Sequence, residues 1–555
     1  METKMIDNIK NKSDYDRFVS EWNSNGRLAT TAAKKLGIKP RTARDWAQKI
    51  REQELRFSKD IISYIEEQQS DVDPFNKHIE ETLKSNTTKT AKRFHEEEVE
   101  TFKNYKTFVI TSVQNDTPIN EDALLALENY CCIHNAKLII VPSLYKFNPS
   151  KSVFNVDKKY LMFKNVQINN KLKLLSTLNI SPSITAPLAG IENLSMGLSV
   201  IVPHPQIERK PLPSLTGSPA LMQTTGSISL RDTCYSNTKT GYKAEFHHSY
   251  SALVVELGEG NEFFMRCLNF DDNNNFYDIK GYYTKDTFTK LNGVDGIVCG
   301  DIHVDVLDDE LKQMFFTNTD CVLNSLKPEK LILHDLIDFG SASHHDHSNY
   351  LLKAAKHLTG VNDVAKELCR SAEFLEEIKR DDMEVVIVPS NHNDHVYKWL
   401  TTNNPHYDLT NSVIYHFLCY HMLINIEETK TGPKFPNLIK LFYENWNHGC
   451  DLPKINYLNR SQSYKIHDVE LSQHGEVSIN GAKGSPAGFS RIPSKTIVGH
   501  SHSAQIKYGC YQVGTFSYLN LPYASGASTW TQTFVAIYPN GKRQMIDIIN
   551  NKWHG

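Results

Sequence analysis

At 555 residues the chain is long enough for about three or four domains. Hydrophobic residues make up 40% and charged residues 23%, as in an ordinary water-soluble globular protein, and a formal net charge of −3 says nothing for nucleic acid. No apolar run reaches the ~20 residues of a membrane span, and METKMIDNIK is too polar for a secretory signal. The ten cysteines include no CxxC pair, so reduced thiols in a cytoplasm are expected rather than a disulfide frame.

The first informative segment follows a short helical stretch at 14–22. In GRLATTAAKKLGIKPRTARDWAQKIRE, residues 26–52, Ala32, Ala33 and Leu36 sit at helical spacing and Gly37 supplies a stop. A turn at Lys39-Pro40 leads into a second helix with Ala43, Trp46, Ala47 and Ile50 on one face. Basic residues dominate, with Arg27, Lys34, Lys35, Lys39, Arg41, Arg44, Lys49 and Arg51 set against Asp45 and Glu52. The segment resembles the helix-turn-helix modules of phage and transposase proteins. That resemblance implies DNA contacts from Lys39, Arg41, Thr42 and Arg44 at the start of the second helix. The plain alternative is a helical hairpin used for packing or assembly. Residues 53–105 are charged and helical in pattern and are expected to form a linker.

From Lys106 the pattern changes. FVITSVQ, EDALLALENYCCIHN and AKLIIVPSLY read as strand, helix and strand. SALVVELGEGNEFFMRCLNF reads as a hairpin turning at Gly258-Glu259-Gly260, and 182–226, rich in Pro, Ser and Gly, reads as long loops. Residues 106–290 are expected to be a mixed α/β accessory region, either a separate domain or a first half packed on residues 291–555.

The chemistry lies in 291–555. Four short apolar runs each end in metal-ligand or proton-moving side chains: Asp301 and His303 after Ile297–Cys299, Asp335 after Leu331–Leu333, Asn391 and His392 after Val385–Val388, His500 and His502 after Thr496–Val498. Strand ends on one edge of an α/β sheet converge on a crevice, so each strand delivers its polar group to a shared site. Carboxylate, imidazole and amide oxygen form a nitrogen and oxygen ligand set suited to manganese, iron or zinc. A metal pair ~3.5–4 Å apart clamps the attacking and leaving oxygens of a phosphoryl displacement.

In these motifs the chain resembles the calcineurin-like metallophosphoesterases, whose pattern is DxH, GDxxD, GNH, a lone His and GHxH. Asp301-Ile302-His303, Asp335 with Asp338, Asn391-His392 and Gly499-His500-Ser501-His502 match in order. His334 and Ser390 stand where the family has glycine. The lone His is assigned to His474 in ELSQHGE, with His467 as the other choice. The resemblance implies a β-sandwich flanked by helices and two divalent ions, manganese first with iron or zinc as alternatives. Asp335 would bridge them, with Asp301, His303 and His502 on one ion and Asn391, His474 and His500 on the other. His392 would be the catalytic acid, and a metal-activated hydroxide the nucleophile.

The covering segment 353–379 reads as one helix. His344, His345 and His347, in a loop after the second motif, could touch a substrate phosphate or merely solvent. A phosphoesterase fold beside a helix-turn-helix makes DNA the expected partner, with self-association left open and no membrane role. The motifs are similar to those of double-strand-break repair nucleases, which lack this N-terminus. Composition and domain pairing suggest a phage-encoded DNase that degrades host DNA in the bacterial cytoplasm. The alternatives are a phosphatase or nucleotide phosphodiesterase with an assembly hairpin, and a non-catalytic DNA-binding regulator on the same scaffold.

Overall fold

The computed structural model describes residues 17–21, 29–39, 42–43, 46–47, 105–143, 153–215, 219–346, 349–430, 432–521 and 526–555. The chain divides into two compact units, Met1–Leu83 and Lys84–Gly555. In the first, the helix Ala29–Leu36 ends at Gly37 in the left-handed region (φ 69°), as glycine allows at a helix terminus. Ala32, Ala33, Ala43 and Ala47 are buried with Phe18, whose ring meets Trp46 edge-on at 5.6 Å. The expected apolar face therefore forms a small helical core. Lys39 is exposed and Thr42 half-buried, whereas Arg41, Arg44 and the 53–104 stretch lie outside the described residues.

The second unit is a mixed α/β structure. Thr107–Gln114, the helix Glu121–His134 and Lys137–Ser143 form the expected parallel βαβ unit. Asn120 starts its helix by accepting a hydrogen bond from the Ala123 N–H, which satisfies one orphan donor. Ser251–Leu257 and Phe263–Asn269 form the expected antiparallel hairpin in the same four-stranded sheet.

Two larger sheets frame the rest. A six-stranded sheet has the order Ile455–Tyr457, Glu384–Ile387, Pro328–Leu333, Val294–Val298, Gln532–Ile537, Arg543–Ile548, its first four strands parallel. A ten-stranded sheet joins Val166–Asn169, Leu172–Leu174, Ser199–Val202, Arg209–Leu212 and Ala220–Thr224 to five strands between Lys465 and Gln512. The period-2 side-chain alternation of a strand sorts the six-stranded sheet's two faces. Ile297, Leu331, Leu333, Val385 and Ile387 pack with Phe315, Leu368, Leu375, Trp399 and Phe442 from the helical layer. Val298, Ile332, Val386 and Val388 face Val469, Ile497, Ile506 and Tyr511 of the ten-stranded sheet. Burying each such side chain contributes about 1.5–3 kcal/mol, so both interfaces are strongly held.

Of the two readings left open for residues 106–290, the packed one is observed, and two other expectations need revision. The ten-stranded sheet crosses the 290/291 boundary, so residues 106–290 share a sheet with the 291–555 region rather than standing apart from it. The 182–226 stretch contains three strands rather than long loops. Pro211 fits there because the strand's other neighbour is bridged only at Arg209, to Ile506, so its missing N–H breaks no ladder bond on that side. The covering segment is two helices, Tyr350–Thr359 and Val364–Glu377. Gly360 (φ 71°) ends the first, and the Asp363 side chain starts the second by accepting from the Lys366 N–H.

Candidate metal centre

The parallel strands of the six-stranded sheet stop at the same edge. Past Val298 and Leu333 their loops stay paired, with Ile302 N–H donating to His334 O at 3.0 Å and His303 N–H to Asp335 O at 2.7 Å. This zipper holds strained backbone: His303 has φ 47° and Asp335 φ 42°, and across the site His500 has φ 77° and His502 φ 57°. A non-glycine residue in that region costs about 1–3 kcal/mol and persists only where its surroundings dictate it. His474, His500 and His502 follow strands of the opposing ten-stranded sheet, Val469–Glu470 and Lys495–Val498. The strand ends therefore converge from two facing sheets, not from the single edge the sequence suggested.

Asp301, His303, Asp335 and His502 converge, with a potential ligand atom from each within 4.8 Å of every other. His303 Nε2 is 3.1 Å from His502 Nε2 and 3.6 Å from Asp335 Oδ2, and His502 Nε2 is 3.3 Å from Asp301 Oδ2. Donors ~2.1 Å from one ion lie about 3.0 Å apart in an octahedron and about 3.4 Å apart in a tetrahedron. The spacing thus suits a common cation. On the other side of Asp335, His474 Nε2 lies 3.0 Å from the same Oδ2, and His500 Nδ1 is 3.1 Å from Asn391 Oδ1. His500 also donates its backbone N–H to Asp301 Oδ2 at 2.7 Å. Asp335 Oδ2 therefore lies within 3.6 Å of both His303 Nε2 and His474 Nε2.

The electrostatics point the same way. Asp301 and Asp335 are fully buried, and Oδ1 of each has no hydrogen-bond partner among the described residues. Two enclosed carboxylates demand positive charge. Burial by itself raises the Asp335 carboxyl, but His474, His392 and His303 outweigh it and hold the group well below the ordinary carboxylate range. Burial likewise disfavours a charged His474, yet Asp335 and Asp301 raise it to about 9. The donor set and its unmatched negative charge fit a divalent cation.

The expected ligands are gathered side by side: Asp301, His303, Asp335 and His502 in one potential ligand group, His474 with Asp301 and His334 in another, and His500 beside Asn391 in the same cluster. His474 belongs to it, whereas His467 is on the surface, 2.5 Å from Asp295. His392 is part-exposed and its Nδ1 is 2.8 Å from Asp338 O. Ser390, standing for the family's glycine, is buried and its Oγ accepts from the Asn393 N–H. His344 stacks edge-on to His395 at 4.9 Å, and His395 in turn approaches His392 at 4.8 Å. The His345 side chain and His347 lie outside the described residues.

The structure gives roles to three residues outside the expected ligand set. Asp338 Oδ1 lies 3.3 Å from His303 Nδ1 and 3.6 Å from His392 Nδ1. Its place three residues after Asp335 was the available signal. Glu367, on the covering helix, accepts from the backbone N–H groups of Gly340 and Ser341 at 3.0 and 2.9 Å and so anchors the loop beyond Asp338. His334 is wholly buried beside His474. Gly499 answers a close approach, since a Cβ there would sit 2.2 Å from Asp301 Oδ1.

Fold and cluster together define a mixed α/β protein with a buried His/Asp centre that could bind metal ions. The chain is 32% identical over 470 residues to Protein A1 of Escherichia phage T5, covering 81% of this chain and 83% of that protein, and it belongs to the same family. No protein-family model and no solved structure matches it. No helix among the described residues is long and apolar enough to cross a membrane.

Proposed function

We propose that the protein is a two-metal phosphodiesterase of the calcineurin-like type that hydrolyses DNA, acting for a phage against host DNA in the bacterial cytoplasm. The observation that carries this reading is Asp335 Oδ2, within 3.6 Å of both His303 Nε2 and His474 Nε2. A carboxylate so placed suits a bridge between two cations. Asp301, His303 and His502 would hold one ion, and Asn391, His474 and His500 the other. When bound, the ions would supply an activated water and neutralise charge on the phosphate.

The chain's own residues do the rest. His392 lies outside both donor groups. Its Nδ1–H donates to Asp338 O, which aims the ring and leaves Nε2 to deliver a proton to the departing oxygen. Asp301 and Asp335 are themselves buried, and the apolar side chains packed on both faces of the six-stranded sheet keep bulk water from their inner side. The N-terminal unit would tether a duplex, raising the local concentration of phosphodiester bonds at the site.

The test is hydrolysis of plasmid DNA by the purified full chain, with and without manganese, beside bis(p-nitrophenyl) phosphate and p-nitrophenyl phosphate. Metal-dependent cleavage of plasmid and diester supports the proposal. Cleavage of the monoester alone would favour a phosphatase. DNA binding with no cleavage of any substrate would favour a non-catalytic regulator.

A further inference from the structure

We propose that His334 is a positioning residue that fixes the tautomer of His474 and thereby presents its Nε2 to the second metal position. The inference rests on the two-metal reading above and extends it to a side chain that the family resemblance places at a glycine.

His334 follows the strand Pro328–Leu333 and precedes Asp335. Its ring is fully enclosed, and a Cβ on Gly499 would come within 3.2 Å of its Cγ. His334 Nδ1 lies 3.3 Å from His474 Nδ1, with the ring planes 38° apart. On the far side of its ring, His474 turns Nε2 toward Asp335 Oδ2 at 3.0 Å.

With no cation between them, two imidazole nitrogens at that distance cannot both present lone pairs. One proton lies between them, and its owner is decided at the other end of the His474 ring. A His474 ring that gives Nε2 to a cation beside Asp335 has only Nδ1 left to carry its proton. That N–H needs an acceptor, because burying it unmatched costs about 1–3 kcal/mol. Asp301 Oδ1 is 3.9 Å away, beyond hydrogen-bond reach. His334 Nδ1 is the acceptor at hand. Metal-binding histidines are commonly held this way by a carboxylate or carbonyl; here an imidazole takes that part.

The arrangement has a local cost. With Nδ1 accepting, His334 carries its own proton on Nε2, which is buried without a hydrogen-bond partner among the described residues. An apolar side chain would avoid that cost if the position served packing alone. The nitrogen facing His474 gives the imidazole a reason to be there.

The experiment compares Mn²⁺ binding by calorimetry for the parent full chain, His334→Phe and His334→Asn, with thermal unfolding as the check on folding. Asn places an amide oxygen close to where Nδ1 was, whereas Phe keeps the ring and removes both nitrogens. His334→Phe is expected to weaken one of the two manganese sites by ~10–100-fold and leave the other as in the parent. His334→Asn should stay within a few-fold of the parent at both. If Phe unfolds the chain, His334→Leu carries the same expectation. Two parent-like sites in the Phe or Leu variant would overturn the role of His334, as would equal weakening by Asn and Phe. A parent chain that binds no pair of ions would overturn the two-metal reading and this inference with it.

Discussion

Glu367 offers a test of how the loop bearing Asp338 is held. Only 2% exposed, its carboxyl receives the N–H groups of Gly340 and Ser341. Burial, seconded by repulsion from Asp305, raises it from 4.5 to about 7 despite those two donors. A folded-state value above the unfolded one means that native protein holds this proton more tightly. The stability so gained is complete below about pH 4.5 and is lost as pH rises through about 7. The difference is worth about 3 kcal/mol. Glu367→Gln is neutral at every pH, keeps one acceptor oxygen and gives up one hydrogen bond, a loss of about 1 kcal/mol. The variant should be slightly less stable than the parent at pH 4.5 and about 2 kcal/mol more stable above pH 8. Urea unfolding of both proteins from pH 4.5 to 8.5 measures this, and the parent-minus-variant difference cancels the other titrating groups. Two stability curves that stay parallel across the range would refute the argument.

The remaining predictions concern the proposed chemistry. Asp335→Ala removes the carboxylate shared by both donor groups and should abolish uptake of both ions; unchanged manganese content after dialysis would contradict the bridge. His392→Ala should keep its metal while turnover of bis(p-nitrophenyl) phosphate falls ~10²–10⁴-fold, and loss of metal instead would make His392 a ligand. Replacing Lys39, Arg41 and Arg44 together with Ala should flatten the salt dependence of duplex binding by a slope of ~0.9 for each phosphate left without its cation. Hydrolysis of the small diester should be unaffected, and an equal slope in parent and variant would remove the DNA role from the N-terminal unit.

Much of the site was readable because each apolar run is short and ends abruptly in ligand-type residues. Ile297–Cys299 before Asp301 and Val385–Val388 before Asn391 announce strand ends whatever the tertiary fold. Sheet membership was not readable. Lys495–Val498 resembles the other motif strands in sequence, yet it pairs with Cys510–Gln512 in the ten-stranded sheet, a choice made by distant partners. The strands between Ser199 and Thr224 were hidden for a related reason: they are four or five residues long and interrupted by proline and glycine. Glu367 had no signal of its own in the sequence, being one of several acids on its helix, and only the structure shows its burial and two backbone donors. His334 was legible only as a departure from a glycine pattern, because its meaning depends on His474, 140 residues away.

The split of the donors between facing sheets bears on how the molecule folds. Asp301 and His502 belong to different sheets and close a loop of about two hundred residues, a contact whose entropy cost is met late in folding. Neither sheet alone assembles the centre, so metal affinity should appear only once the sheets have docked. A fragment that stops short of Lys495 lacks His500 and His502 and should hold metal poorly, however well its own strands form. Conversely, cations that bind only the docked arrangement would act as rivets across the sandwich, adding stability in proportion to the logarithm of their concentration. Chelation would then loosen the seam between the two sheets before it loosened either sheet.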